Sequence, residues 1–167
     1  CTIAWVCQAW GFKEGQRLLH TFNQTPMGYA LPGAIGAHYA TGKRVICITG
    51  DGSIMMSIGE LATIAGNNLP IKIVLINNAS MAMCVQTENE WFGGKHCATT
   101  PASGLTFPDF EKCIEGFGIP VEECHRNPGV ASVLGALFWQ DGPQVTVFHI
   151  SPEHDVKPKV KMGRPNE

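Results

Sequence analysis

Apolar residues along this chain gather into short continuous runs separated by segments of helical period. Two runs stand out: Arg44-Val45-Ile46-Cys47-Ile48-Thr49 and Ile71-Lys72-Ile73-Val74-Leu75-Ile76. Rich in β-branched residues and bounded by turn signals, they predict strands buried on both faces. A third strand is expected at residues 145–150, after the turn Asp141-Gly142-Pro143, and a short one at residues 17–21. Between them lie helix patterns. Residues 2–10 open the chain, and Pro32 starts a small-residue helix over 33–39. Ile54, Ile58, Leu61 and Ala65 then recur at steps of four, three and four, and Gly66, Asn67, Asn68 and Pro70 stop that helix. Pro108 begins another through Phe110, Cys113, Ile114 and Phe117. Asn127-Pro128 caps a last one, with Val130, Val133, Leu134, Leu137 and Phe138 on its buried side. Residues 79–106 show no clear period and read as one long irregular stretch, which in a compact domain is usually functional. This alternation predicts an α/β fold: an open, mostly parallel sheet with helices on both faces.

Composition narrows the function without naming it. Hydrophobic residues make up 44% of the 167 and charged ones 16%, enough for a real core. A net charge of −2 provides no basic field for nucleic acid. Lys157, Lys159, Lys161 and Arg164 lie in a tail shared with Glu153, Asp155 and Glu167, and read as solvated. No apolar run approaches a membrane span. The seven cysteines, odd in number and without a Cys-x-x-Cys pair, imply reduced thiols and a cytoplasmic protein. His96-Cys97 and Cys124-His125 offer zinc donors, but adjacent ligand pairs are poor zinc spacing.

The chemistry concentrates at Gly50-Asp51-Gly52-Ser53, which follows the first strong strand directly. Asn77-Asn78 ends the second, placing Asn78 27 positions after Asp51. A parallel β-α-β unit brings both strand ends to one edge of the sheet. A carboxylate and an amide oxygen meeting there suit Mg²⁺, commonly held by one or two carboxylates plus phosphates. Gly52 and Ser53 at the following helix start would favour a phosphate. No Gly-x-Gly-x-x-Gly follows any strand, which argues against a dinucleotide.

Gly50-Asp51-Gly52-Ser53 through Asn77-Asn78 resembles the diphosphate-binding motif of thiamine-diphosphate enzymes. Met27-Gly28-Tyr29-Ala30-Leu31-Pro32, Ala34-Ile35-Gly36-Ala37 and Glu60-Leu61-Ala62-Thr63 extend the likeness to the C-terminal domain of acetolactate synthase large subunits, over about residues 12–150. The resemblance implies thiamine diphosphate and Mg²⁺ as cofactors. It implies Asp51, Asn78 and the backbone carbonyl of Ser80 as metal ligands, with Gly50, Gly52 and Ser53 around the diphosphate. Met27 would press under the bent cofactor, the carbonyl of Thr25 would accept from its amino group, and Met81 and Met83 would also touch it. Cys84, Gln86 and Thr87 would line the substrate side. A strand and two further domains precede the first helix in that family. The expected layout is therefore an N-terminally truncated cofactor domain over 1–151 and a tail over 152–167. FAD, carried by many acetolactate synthases, binds a domain outside this region.

The implied reaction decarboxylates a 2-oxo acid such as pyruvate and adds the acyl unit to a second carbonyl. The activating Glu belongs to a pyrimidine-binding domain of the same or another subunit, so no catalytic residue is assigned here and the chain alone is expected to be inactive. The expected assembly is a homodimer or homotetramer, with neither nucleic acid nor membrane as partner. Where acetolactate synthases carry Trp after the Gln, this chain has Thr87, and Trp91-Phe92-Gly93-Gly94-Lys95-His96 follows as an insertion-like stretch. Pro152-Glu153-His154-Asp155-Val156 with Gly163-Arg164-Pro165-Asn166-Glu167 resembles a variant group found among surface-polysaccharide pathways, which implies a keto-sugar nucleotide as a possible acceptor. Two alternatives stand beside this reading: the diphosphate-binding subunit of a split 2-oxo acid decarboxylase, and a non-catalytic thiamine-diphosphate-binding module.

Overall fold

In a computed structural model describing residues 2–158, four strands form one sheet, all parallel, in the order β1-β2-β4-β3. They are β1 (Val45–Gly50), β2 (Ile71–Asn77), β3 (Val121–Cys124) and β4 (Gln144–His149). Seven α-helices lie along the described residues: α1 (Thr2–Ala9), α2 (Ala30–Thr41), α3 (Asp51–Met55), α4 (Glu60–Gly66), α5 (Ala82–Trp91), α6 (Phe110–Glu115) and α7 (Val130–Trp139). Strand alternation divides the core in two. On one side Cys47, Ile71, Ile73, Leu75, Val145 and Val147 pack with Leu31, Ile54, Leu61, Ile64, Phe110 and Ile114 from α2, α3, α4 and α6. On the other, Val74, Cys124 and Phe148 pack with Val133 and Leu137 of α7. Helices thus cover both faces, as the buried apolar runs require. Each fully buried Ile or Leu contributes about 1.5–3 kcal/mol of burial.

Five local expectations are corrected. Residues 17–21 form no strand; Leu18 and Leu19 are exposed at 40% and 58%, and nothing pairs with their backbone among the described residues. The single helix expected after residue 50 is two, α3 and α4, broken over residues 56–59. The supposedly irregular stretch 79–106 contains α5 and a 3-10 turn at Pro101–Ser103. A strand not expected at all, β3, forms the margin beyond β4. Asn127 is also not the cap of α7: a 3-10 turn, Asn127–Gly129, carries the chain into it.

Lys72 explains how a charge survives inside β2. Although the residue is fully buried, its Nζ donates to the carbonyls of Gln140 and Gly142, both at 2.7 Å. A cation there satisfies carbonyls just past the end of α7 and complements that helix's dipole. Parallel pairing then aligns the strand ends: Gly50 lies beside Ile76, Asn77 beside His149, and Cys124 beside Phe148. Everything that follows a strand therefore emerges along one edge.

Candidate functional site

Asp51 is the first residue of α3 and only 4% exposed. One carboxylate oxygen accepts from the Gly52 N–H at 2.7 Å and the other from the Asn78 N–H at 3.0 Å, tying the ends of β1 and β2 together. Burial pushes its proton affinity up, partly offset by the backbone N–H groups of Gly52, Asn78, Ala79 and Ser80. No cationic side chain among the described residues pairs with it. A buried carboxylate without a counter-charge is a costly arrangement that a bound cation would relieve.

The turn beyond β2 is built to present oxygen atoms. Asn77 Oδ1 accepts from the Ala79 N–H at 3.1 Å, and Asn78 Oδ1 from the Ser80 N–H at 3.2 Å. Ala79 adopts φ +53°, a left-handed conformation costing a non-glycine residue of order 1 kcal/mol or more. Thr25, across the edge, is left-handed too at φ +42°. Ser80 is buried, and its hydroxyl donates to the Thr99 carbonyl at 3.3 Å. Asp51, Asn78 and Ser80 are thus tied together through backbone N–H groups, and their oxygen atoms are donors of the kind that hard cations take.

Gly52 beside the carboxylate is closely approached by two flexible side chains. A Cβ on Gly52 would stand 2.6 Å from Met81 Sδ and 3.1 Å from Met27 Cε, so both methionines close on this one residue. Gly50 is approached from α1, where Thr2 Oγ1 would be 3.1 Å from a Cβ. The Ser53 hydroxyl accepts from the Gly28 N–H at 3.0 Å, leaving its proton to donate. Met27 is 43% exposed, presenting a free thioether surface beside the clamp. Two expectations are modified here. The helix whose start was to hold a phosphate is only the five-residue α3, and the Gly52 N–H is already directed to Asp51.

The residues assigned to the substrate side divide over α5. Met83 and Cys84 lie exposed, and Thr87 turns its hydroxyl back to the Met83 carbonyl at 2.9 Å. Gln86 is turned inward instead. Only 3% exposed, it accepts from the Val156 N–H at 3.1 Å and donates to the Val156 carbonyl at 3.2 Å, holding the tail against α5. A cavity of about 550 Å³ opens beside the clamp, lined by Asn78, Ser80, Val85, Asn89, His149 and Asp155 among others. Val85 belongs to the stretch 81–87 expected on the substrate side; Asn89 and His149 were missed in the sequence, because α5 lacks an apolar stripe and His149 becomes a site residue only through β-pairing. His96 binds Asn89 Oδ1 through Nε2 at 2.9 Å. Residues 163–167, which carried part of the tail resemblance, lie outside the described residues.

A parallel α/β edge carrying a buried carboxylate, an amide turn and a closely approached glycine is the kind of site that cofactor-binding α/β domains place at their strand ends. Comparison with known proteins gives the family: the chain belongs to that described as thiamine pyrophosphate enzyme, C-terminal TPP binding domain, matched over residues 1–148. It is 32% identical over 163 residues to the acetolactate synthase isozyme 2 large subunit of Escherichia coli (strain K12), covering 97% of this chain and 29% of that protein. It is 36% identical over 141 residues to the acetolactate synthase large subunit of Pyropia yezoensis, covering 84% and 24%. The chloroplastic acetolactate synthase 1 of Oryza sativa subsp. japonica matches at 30% over 164 residues, 95% of this chain and 26% of the relative. The chain thus spans between 24% and 29% of the length of these relatives. It is a thiamine-diphosphate-binding domain of the acetolactate synthase-like kind. No helix among the described residues is long and apolar enough to cross a membrane.

Proposed function

We propose that this chain forms the diphosphate- and Mg²⁺-binding part of a carboligase that decarboxylates a 2-oxo acid and joins the acyl unit to a second carbonyl. The observation carrying this is the buried Asp51 carboxylate, without a cationic partner among the described residues, bridging the ends of β1 and β2 in a chain of this family. Asp51, the Asn78 side chain and the Ser80 carbonyl would hold Mg²⁺, whose charge offsets the cost of burying Asp51. Gly52 would admit the diphosphate, with the Ser53 hydroxyl donating to it. Met27 and Met81, on either side of Gly52, would provide the apolar wall beneath the cofactor. Thiamine diphosphate, when bound, supplies the electron sink for loss of CO₂. The chain's own residues position it and exclude water along the clamp.

The substrate side would be roomier than in acetolactate synthases, because Thr87 stands where they carry Trp. Together with the tail resemblance, this favours an acceptor larger than pyruvate, such as a keto-sugar nucleotide. The exposed apolar residues Trp10, Phe12, Leu18, Leu19 and Phe22 would meet the pyrimidine-binding domain of the same or another subunit. A homodimer or homotetramer in the cytoplasm would bring that domain's activating Glu to the cofactor.

Calorimetric titration of thiamine diphosphate with and without Mg²⁺ tests the clamp. Asp51→Ala should abolish the Mg²⁺-dependent part of binding, and unchanged affinity would refute the metal assignment. Product analysis of the complete enzyme with pyruvate and candidate acceptors tests the reaction. Efficient acetolactate formation would count against the sugar acceptor, and turnover by this chain alone would overturn the need for a partner domain.

A further inference from the structure

The ends of β3 and β4 carry a second constellation that takes no part in the clamp. Glu123 and His125 lie two apart on β3 and its exit, so they share a face; Cys124 between them points to the opposite core. His149 ends β4, one step beyond the Cys124–Phe148 pair, which sets it beside His125. The two imidazoles stack with centroids 4.2 Å apart and planes 12° from parallel. Both turn Nε2 to the same carboxylate: His149 to one Glu123 oxygen at 3.0 Å, His125 to the other at 3.1 Å. One ligand atom from each residue lies within 4.8 Å of the others, and among the described residues no other such trio of His, Cys, Asp or Glu occurs.

We propose that Glu123, His125 and His149 form a binding site for a divalent transition metal of the zinc class, with at least one coordination position left to water. Two imidazoles and one carboxylate are a recurrent zinc donor set. Ligands about 2.0–2.2 Å from a tetrahedral zinc stand roughly 3.3–3.5 Å from one another, so the three ligand atoms start near the required spacing, and the two imidazoles must turn out of their stacked arrangement to bring both ring planes onto the ion. Imidazole nitrogen sets this site apart from the all-oxygen clamp at Asp51, which suits Mg²⁺. The register of β3 and β4 holds two of the ligands before any metal arrives. The carboxylates of Glu153 and Asp155 line the same cavity as His149 and add negative charge to the approach. Bound there, the ion ties the ends of two strands together at the margin of the sheet. The proposal stands apart from the thiamine-diphosphate reading and would survive its failure.

The test uses the full chain, freed of metal by chelator and titrated with zinc chloride by calorimetry, and with Co²⁺ followed by visible absorption. One zinc per chain and a Co²⁺ ligand-field spectrum of nitrogen and oxygen ligands are expected. His125→Ala and His149→Ala should each weaken zinc binding at least about tenfold and remove the Co²⁺ bands. His125 is largely exposed, with 60% of its side chain accessible, so this variant keeps the fold, which circular dichroism checks. Asp51→Ala should leave zinc affinity unchanged. The proposal is overturned by failure to bind zinc, by zinc binding retained in both histidine variants, by a thiolate charge-transfer spectrum from the cysteines, or by loss of zinc in Asp51→Ala.

Discussion

Asp51 shows what burial does to a single carboxyl group. Desolvation raises its proton affinity above that of an ordinary aspartate, with the backbone N–H groups pulling the other way. In the metal-free protein the folded state therefore holds this proton to a higher pH than the unfolded chain does. Folding takes up a proton between those two values, so Asp51 costs stability as pH rises through the folded value. Mg²⁺ requires the ionised group, and its binding should weaken as the medium is acidified from neutrality. The decline should begin at higher pH than for an exposed aspartate of pKa about 3.9. Titrating thiamine diphosphate and Mg²⁺ at several pH values checks this; affinity flat down to about pH 4 would contradict it. Gly52 is the complementary case. Gly52→Ala would displace the tips of Met81 and Met27, and should cost under about 1 kcal/mol in urea unfolding while weakening the cofactor, whose wall those tips form. Asp51, Gly52 and Asn78 were legible in the sequence because strand ends and turn chemistry fix their place locally. His149 was not, because its neighbours come from a distant strand.

At the scale of elements, legibility followed hydrophobic contrast. β1, β2 and β4 are apolar runs buried on one or both sides, and their bounds were readable to within a residue. β3 is Val-Glu-Glu-Cys, whose two glutamates hide a strand that pairs along one side only. α5 carries Gln86, Thr87, Glu88, Asn89 and Glu90 in succession, and buries only Ala82 and Gln86. With so narrow an apolar stripe its period is faint. Leu18 and Leu19 gave the reverse error: apolar residues without a partner strand remain exposed. Lys72 is the element-scale test of what a buried charge contributes. Lys72→Met should leave the Gln140 and Gly142 carbonyls without their donor and destabilise the α7–β4 junction by about 1–3 kcal/mol. Urea unfolding measures the loss, and a more stable variant would show that apolar packing outweighs the cap.

For the whole molecule, the sheet's two margins differ in kind. β3 is four residues long and carries Glu122 and Glu123, so its outer side repels a like strand. β1 is six residues long, Val-Ile-Cys-Ile-Thr-Gly, without a charge, and Ile46 is 42% exposed. Among the described residues it pairs only with β2. Its outer N–H and C=O groups are a template on which another copy of the same margin can hydrogen-bond. Ile46→Lys should lower concentration-dependent light scattering of the isolated chain while leaving its melting curve nearly unchanged. The consequence is colloidal: association of the isolated chain in concentrated solution should depend on six uncharged residues on the far side of the sheet from the glutamates.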